Sequence, residues 1–501
     1  MHAIAASAVL ALTRPTQASA VVTPIRVVRS TPAGPRFLRL RSRITFDGAT
    51  GDCVTVMDFR TGRSAEHVDA GVMSYSDGFD GRRQWSADVT GMPVIEGNAE
   101  TLRDAAVWNT FLGAPEREHP EVRTLRTTPA SMVLRLRYRS LRLPIDVTVD
   151  RASGYVQRID DPIGGETSVS SYADYRRDAG VVFPHVLHAR TRYGITREVI
   201  FAAEAPASIA ASEFEPPAPP DDTTLTGVTS VPMLLDRGSP VVPVRIDDGP
   251  VLHMLLDSGS SNLLTPAAAR RLRLKLSGEG KVGGVGTGVV RERYTRVRRV
   301  AVGSAELRDQ PFEVLDYAEP GIDGALGCEL FERFAVRFDF AKRSVLLARD
   351  ASQLGMLGTA MPMRMTGCTP EIDGSVDGIG GPLMIDTGSA VSLDVLTPAV
   401  KRYGMLARYG SFGRVRGGGI GGDTTGLLVR ARTVRLGPIA ASAFRLDGRS
   451  MRGVPVVLQT TASGALSSTS DLGNVGTLLL EMFSPTFDYR SGTLWLLPKG
   501  D

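Results

Sequence analysis

The chain has little of the chemistry that most directly assigns a function. Only three cysteines, Cys53, Cys328 and Cys368, stand in 501 residues. So odd and sparse a set gives no disulfide framework and no CxxC metal pattern. Cys328 and Cys368 leave two readings open, a bridge in an oxidising compartment or two buried small hydrophobes. The six histidines include no HExxH pair, and His185 and His188 fall in a strand-like stretch. No metal site and no cofactor is expected. No run of 18 apolar residues occurs, so no transmembrane helix is expected. Charge of either sign is also lacking in excess, at +4 net. The densest basic cluster, "RVRRV" at 296–300, alternates like the wet side of a strand, and no nucleic-acid partner is expected. Gly283–Gly288 is rich enough in glycine for a phosphate loop, but no Lys-Ser/Thr follows and no helix is signalled after it. Trp85, Trp108 and Trp495 read as packing residues rather than ligand stacks.

What is present points to strands and turns. Hydrophobic residues make up 42% of the chain and glycines number 54, a globular, turn-rich composition whose length suggests two to four domains. "AIAASAVLAL" (3–12) followed by "ASA" (18–20) has the form of a secretory signal over 1–20, although the "MH" before it carries no Lys or Arg. A periplasmic or secreted location is the expectation. Residues 204–226 are rich in Pro, Ala and acidic side chains and read as an extended linker. Before it, over 25–203, period-two runs such as "SMVLRLRYR" (131–139) alternate with short turns. They imply an antiparallel sheet with one wet face. "GNAETLRDAAVWNTFLG" (97–113) has a helical period and predicts one helix packed on that sheet. The phrases "VDRASGYVQRI" and "YRRDAGVVFPH" give this half a resemblance to periplasmic lipoprotein-carrier domains.

After the linker the chain repeats itself. "LFERFAVRFDFAKRSVLL" (330–347) aligns without gaps on "LLEMFSPTFDYRSGTLWL" (479–496) at an offset of 149. "LLDSGSS" (255–261) aligns on "MIDTGSA" (384–390) at 129, and "GGVGTG" (283–288) answers "GGIGGD" (418–423) at 135. Three landmarks in the same order imply a duplicated unit, with two lobes over 227–350 and 355–501. The growing offset puts extra residues in the second copy, in loops such as "TTASGALSSTSDLGN" (460–474).

In each copy an apolar pair places an Asp at the end of a core strand. The next two residues turn the chain sharply, and the following Ser can hydrogen-bond the carboxylate. One such Asp is only a held carboxylate. Two that meet across a pseudo-twofold axis cannot both ionise easily, so one keeps its proton and the pair titrates as a unit. The ionised member can then take a proton from water while the protonated member donates to a carbonyl.

Over about 228–500 this pattern resembles the aspartic protease superfamily, and within it the retroviral-protease-like bacterial aspartyl proteases. The resemblance rests on Asp257-Ser258-Gly259-Ser260 and Asp386-Thr387-Gly388-Ser389. It implies a catalytic dyad of Asp257 and Asp386, with Ser258 and Thr387 bracing the two loops. It also implies an apolar-apolar-Gly segment under each loop. Ala325-Leu326-Gly327 fits that pattern, and Asn474-Val475-Gly476 departs from it at Asn474. Gly284, Val285, Gly286 and Gly419, Ile420, Gly421 fall where the family carries flaps over its substrate, without the tyrosine of pepsin-like flaps.

The expected architecture is therefore mainly β, a bilobal aspartic-protease-like domain preceded by an antiparallel β domain with a helix. The expected partner is a peptide or protein substrate, and the expected state a monomer. The competing expectation is a non-catalytic peptide- or lipid-binding envelope protein on the same fold.

Overall fold

A computed structural model describes residues 12–13, 28–29, 34–46, 48–95, 121–137, 144–163, 166–316, 321–410, 412–446 and 449–499. The helix expected over 97–113, with Trp108, lies outside the described residues, as does the leader apart from Leu12 and Thr13. The described chain is mainly β and divides into two compact units between Pro219 and Pro220.

The first unit is a 13-stranded antiparallel sheet. Strand Phe37–Phe46 pairs with Ile195–Glu204 and joins two meandering arms. Alternation drives this directly: Leu38 and Leu40 go to one buried cluster with Val147, Ile159 and Phe183, and Phe37 goes to another with Trp85 and Phe214. The Pro/Ala-rich stretch after this sheet is neither wholly extended nor free, and Ala211–Phe214 form a 3-10 turn. Ile209 and Phe214 are its anchors, because they are large apolar side chains among small ones. Both are buried with Trp85, whose indole N–H donates to the Phe214 carbonyl at 2.9 Å. Further along, Thr223–Thr224 already pairs with strand Ala305–Leu315 of the second unit. The first unit also buries Glu66 and Glu198. Loss of hydration raises both above the ordinary carboxyl range, Glu198 to about 7.

The second unit holds two lobes. A nine-stranded sheet forms the first and a ten-stranded sheet the second. In the first lobe, Ser239–Ile246 and Val251–Leu256 form the hairpin that the "DDGP" turn implies. Leu256 ends the inner strand with its side chain fully buried. Gly324–Leu326 then runs parallel to Val251–Leu256 and antiparallel to Leu263–Leu264. The loop 257–262 is thereby suspended between two strands that share one neighbour. The second lobe repeats the device: Ile379–Ile385 pairs parallel with Gly473–Val475, which pairs antiparallel with Leu393–Val395. A short helix after the first loop covers Pro266–Arg271, with Thr265 accepting from the Ala268 N–H and Pro266 in the first turn. Its counterpart is split into Thr397–Arg402 and Met405–Arg408 by Gly404, which sits at φ 59°.

A six-stranded sheet joins the lobes, with Ala335–Asp339 and Phe483–Asp488 at its centre. These strands belong to the segments that align at offset 149. Arg337 pairs with Thr486, the residue it aligns with in sequence, and Val336 pairs with Phe487. An antiparallel pair in which a residue faces its own counterpart is the register that a twofold axis produces. Phe331, Phe338, Phe487 and Tyr489 stack around this pair with ring centroids 5.4–6.3 Å apart.

Cys328 and Cys368 are joined, which decides between the two readings left open above in favour of a bridge. The bridge ties the helix just after Gly327, Cys328–Phe331, to a turn of the second lobe. It closes a loop of 40 residues. Chain entropy then gives an expected loss of about 4 kcal/mol of stability in Cys328→Ser. Urea unfolding of wild type and variant checks this.

Candidate active site

Asp257 and Asp386 each follow the last residue of a buried strand, and each is anchored by its own backbone. The Asp257 N–H donates to Leu326 O at 3.0 Å and the Asp386 N–H to Val475 O at 2.9 Å. The loops then cross. The Ser258 N–H donates to Thr387 Oγ1 at 3.0 Å, and the Thr387 N–H to Ser258 Oγ at 3.1 Å. Each hydroxyl goes on to donate to the strand end beneath the opposite Asp, Ser258 Oγ to Ile385 O at 2.8 Å and Thr387 Oγ1 to Leu256 O at 2.7 Å. Both side chains are fully buried. Four mutual bonds in a dry site fix the two loops to one another, because any displacement would strand buried donors and acceptors.

This crossing brings the carboxyls together. A Cβ placed on Gly388 would lie 2.4 Å from the Asp257 carboxyl carbon, and one on Gly259 would lie 3.1 Å from that of Asp386. Glycine is required at Gly388 because the opposite carboxyl occupies the space of a side chain. Enclosure of the Asp257 carboxyl, and next the charge of Asp386, push its pKa up to about 8. Each carboxyl is close enough to act on the ionisation of the other.

The expected supporting residues are placed as follows. The Gly259 N–H donates to Asp257 Oδ1 at 2.8 Å, and the Gly388 and Ser389 N–H groups to Asp386 Oδ1 at 2.9 and 3.1 Å. Ser389 thus reaches its carboxylate through the backbone. The Ser260 hydroxyl donates to Ser261 O and also helps to stabilise ionised Asp257. Gly327 is confined by close approach, since a Cβ there would fall 2.2 Å from Ser260 O.

Three participants were not legible as such. Asn474, a misfit by sequence, donates its side-chain N–H to Asp386 Oδ2 at 2.8 Å. Asp394, buried next to this carboxylate, has a pKa raised to about 7, first by burial and then by the charge of Asp386. Tyr489 donates its hydroxyl to Ser258 O at 3.3 Å from beneath the loops, where the aligned Phe340 has no hydroxyl to give. Asn474 alone left a sequence signal, as the polar residue in an apolar-apolar-Gly slot.

The glycine-rich segments of the two lobes meet each other. Gly284 to Gly288 connect strands Ser277–Val282 and Val290–Val302, and the opposing hairpin joins Gly413–Gly419 to Gly422–Ala431. The Gly286 N–H donates to Ile420 O at 3.0 Å and the Gly288 N–H to Gly421 O at 2.7 Å. Val285 packs on Gly419, and Ile420 packs on a first-lobe patch of Val241, Leu255, Leu263, Ile322 and Ala325. The second-lobe loop adds a bond from the Ala465 N–H to Gly284 O at 2.9 Å. A Cβ on Gly286 would fall 2.2 Å from the Gly421 carbonyl carbon. Gly286→Ala is therefore expected to part the two tips. Faster hydrogen exchange at the Gly288 amide, together with a loss of up to about 10²-fold in any peptide-directed activity, checks this.

The aspartyl protease family profile matches residues 242–330, a stretch that contains the first Asp loop, the first glycine-rich tip and Ala325-Leu326-Gly327. The match gives the first half no family, so the lipoprotein-carrier resemblance gains no support. Among solved structures, the chain is similar to the aspartic proteinase from Irpex lacteus at 16% identity and a TM-score of 0.35, over 55% of this chain and 98% of that one. No curated protein matches the chain.

Proposed function

We propose that residues 227–501 act as an aspartic endopeptidase in which Asp257 and Asp386 activate one water between them. The observation that carries this reading is the pair of carboxyls brought together by crossed loops, each lying where a side chain on the other loop's glycine would crowd it. Such a pair shares a proton, and a shared proton supplies base and acid at once. The ionised carboxylate takes a proton from the water as its oxygen attacks the peptide carbon. The protonated carboxyl gives its proton to the carbonyl oxygen. The resulting tetrahedral diol collapses with proton transfer to the departing amine, which breaks the C–N bond and restores the dyad. The glycine-rich tips would lift to admit a peptide, displacing Ile420 from the first-lobe patch and leaving that patch for an apolar substrate side chain.

The register of the central strands supports descent of both lobes from one duplicated unit, acting as a monomer. The Cys328–Cys368 bridge and the apolar leader support export to an oxidising compartment.

Digestion of a peptide library across pH tests the reading, with Asp257→Asn and Asp386→Asn as controls. Cleavage dependent on both carboxyls is the expected result, and cleavage that survives either change removes the dyad. One observation favours a second reading, a peptide-binding module: Ile420 already covers the apolar patch. Binding of library peptides without turnover by the wild-type protein would select it.

A further inference from the structure

The two halves of the pair are not held alike. Asp386 accepts three N–H groups, from Gly388 and Ser389 at Oδ1 and from the Asn474 amide at Oδ2. Asp257 accepts one N–H, from Gly259, with help from the Ser260 hydroxyl. One of the two extra donors is the Ser389 N–H, and the other traces to one position in the threading strands. Ala325 pairs with Leu255 on one side and Leu263 on the other. Asn474 holds the same place in the second lobe, between Met384 and Asp394. Where the first lobe offers a methyl group, the second offers an amide donor.

Hydrogen bonds donated to a carboxylate favour its charged form. Extra donors held against one member of a proton-sharing pair favour its giving up its proton first. We propose that Asn474 fixes the shared proton on Asp257, so that Asp386 is the base that activates water and Asp257 is the acid that protonates the peptide carbonyl. The assignment rests on the endopeptidase reading. Asn474 is a positioning residue, since it touches Asp386 and not the substrate. The upward shift of Asp257 has the sense this assignment requires.

The titratable side chains in electrostatic contact with Asp386 include Asp257, Asp394 and Tyr489. Tyr489 is raised well above the ordinary phenol range and stays neutral throughout. Asp394 titrates near 7, held by a bond from Gln459 Nε2 at 2.7 Å, so in acid it is neutral and leaves the lower ionisation of the pair undisturbed. The lower ionisation therefore reports on the Asn474 bond.

The test is the pH profile of kcat/KM for wild type and Asn474→Ala, which installs the first lobe's own residue. Loss of a hydrogen bond to a charged carboxylate raises its pKa by about 1–2 units. The acid limb is expected to move up by that amount while the alkaline limb, set by Asp257, stays in place. An acid limb that does not move overturns the proposal. A second measurement is independent of how the variant folds. Carbon-13 titration of the aspartate carboxyls in the wild-type protein should show Asp386 ionising before Asp257, and the reverse order overturns the proposal. The two levels are separable. If Asp257→Asn and Asp386→Asn still cleave, the endopeptidase reading fails. If both abolish cleavage and the acid limb stays fixed in Asn474→Ala, only the proton assignment fails.

Discussion

Asp257→Asn is expected to abolish peptide hydrolysis while making the protein more stable toward alkaline pH. The loss should be roughly 10³-fold or more, since a general acid–base partner contributes about 10²–10⁴-fold. An amide cannot donate the proton that the carbonyl requires. The gain in stability follows from the same raised pKa. Asp257 holds its proton in the folded protein up to about 8 and has an ordinary value near 3.8 when unfolded. Between those values the unfolded chain binds fewer protons than the folded one, so stability falls as pH rises through the window. Asparagine carries no such titration, and the variant's stability curve should be flatter from pH 4 to pH 8. Thermal unfolding of both proteins at several pH values checks the second half of the prediction. A variant that is inactive but no flatter than wild type would show that the carboxyl is not held protonated. A catalytic pair that costs stability at neutral pH is what a site poised for proton transfer entails.

The second large effect concerns the crossed hydroxyls. Thr387→Val keeps the shape of the side chain and removes its oxygen. Thr387 Oγ1 both accepts from the Ser258 N–H and donates to Leu256 O, in a fully buried site. Valine leaves that N–H and that carbonyl without these partners. Each orphaned buried group costs about 1–3 kcal/mol, so the expected destabilisation is about 2–6 kcal/mol. Activity should fall with it, because the bonds lost are those that set the distance between the carboxyls. Thr387→Ser keeps the oxygen and should be close to neutral, as Ser258 already performs the same part in the first lobe. Urea unfolding of the pair distinguishes a role for the oxygen from a role for the methyl group.

Much of this site was legible in the sequence because it is built from local chemistry. An apolar pair before Asp, and Ser/Thr-Gly after it, describe a strand end and a sharp turn wherever they occur. Their repetition with matched flanking segments implied two lobes. The linker was less legible, since composition implies an extended Pro/Ala-rich stretch and not that Ile209 and Phe214 dock it. The cysteines illustrate the same limit. Spacing along the chain could not say whether Cys328 and Cys368 pair, because pairing depends on where two lobes place a helix start and a turn.

By itself the sequence determined the β class of the chain and pointed to two aspartates in matching stretches. These are properties of period and order, which side-chain alternation and turn residues write into any stretch of chain. Only the tertiary structure decided that the carboxyls meet, that the glycine tips of the two lobes meet with Ile420 on the first lobe, and that the pair is unequal. Those facts depend on contacts between residues far apart in the chain, such as Asn474 with Asp386 at a separation of 88 and Ser258 with Thr387 at 129. Asn474 shows the reason most plainly. In the chain it is a polar residue in an apolar slot, and only folding places its amide against a carboxylate.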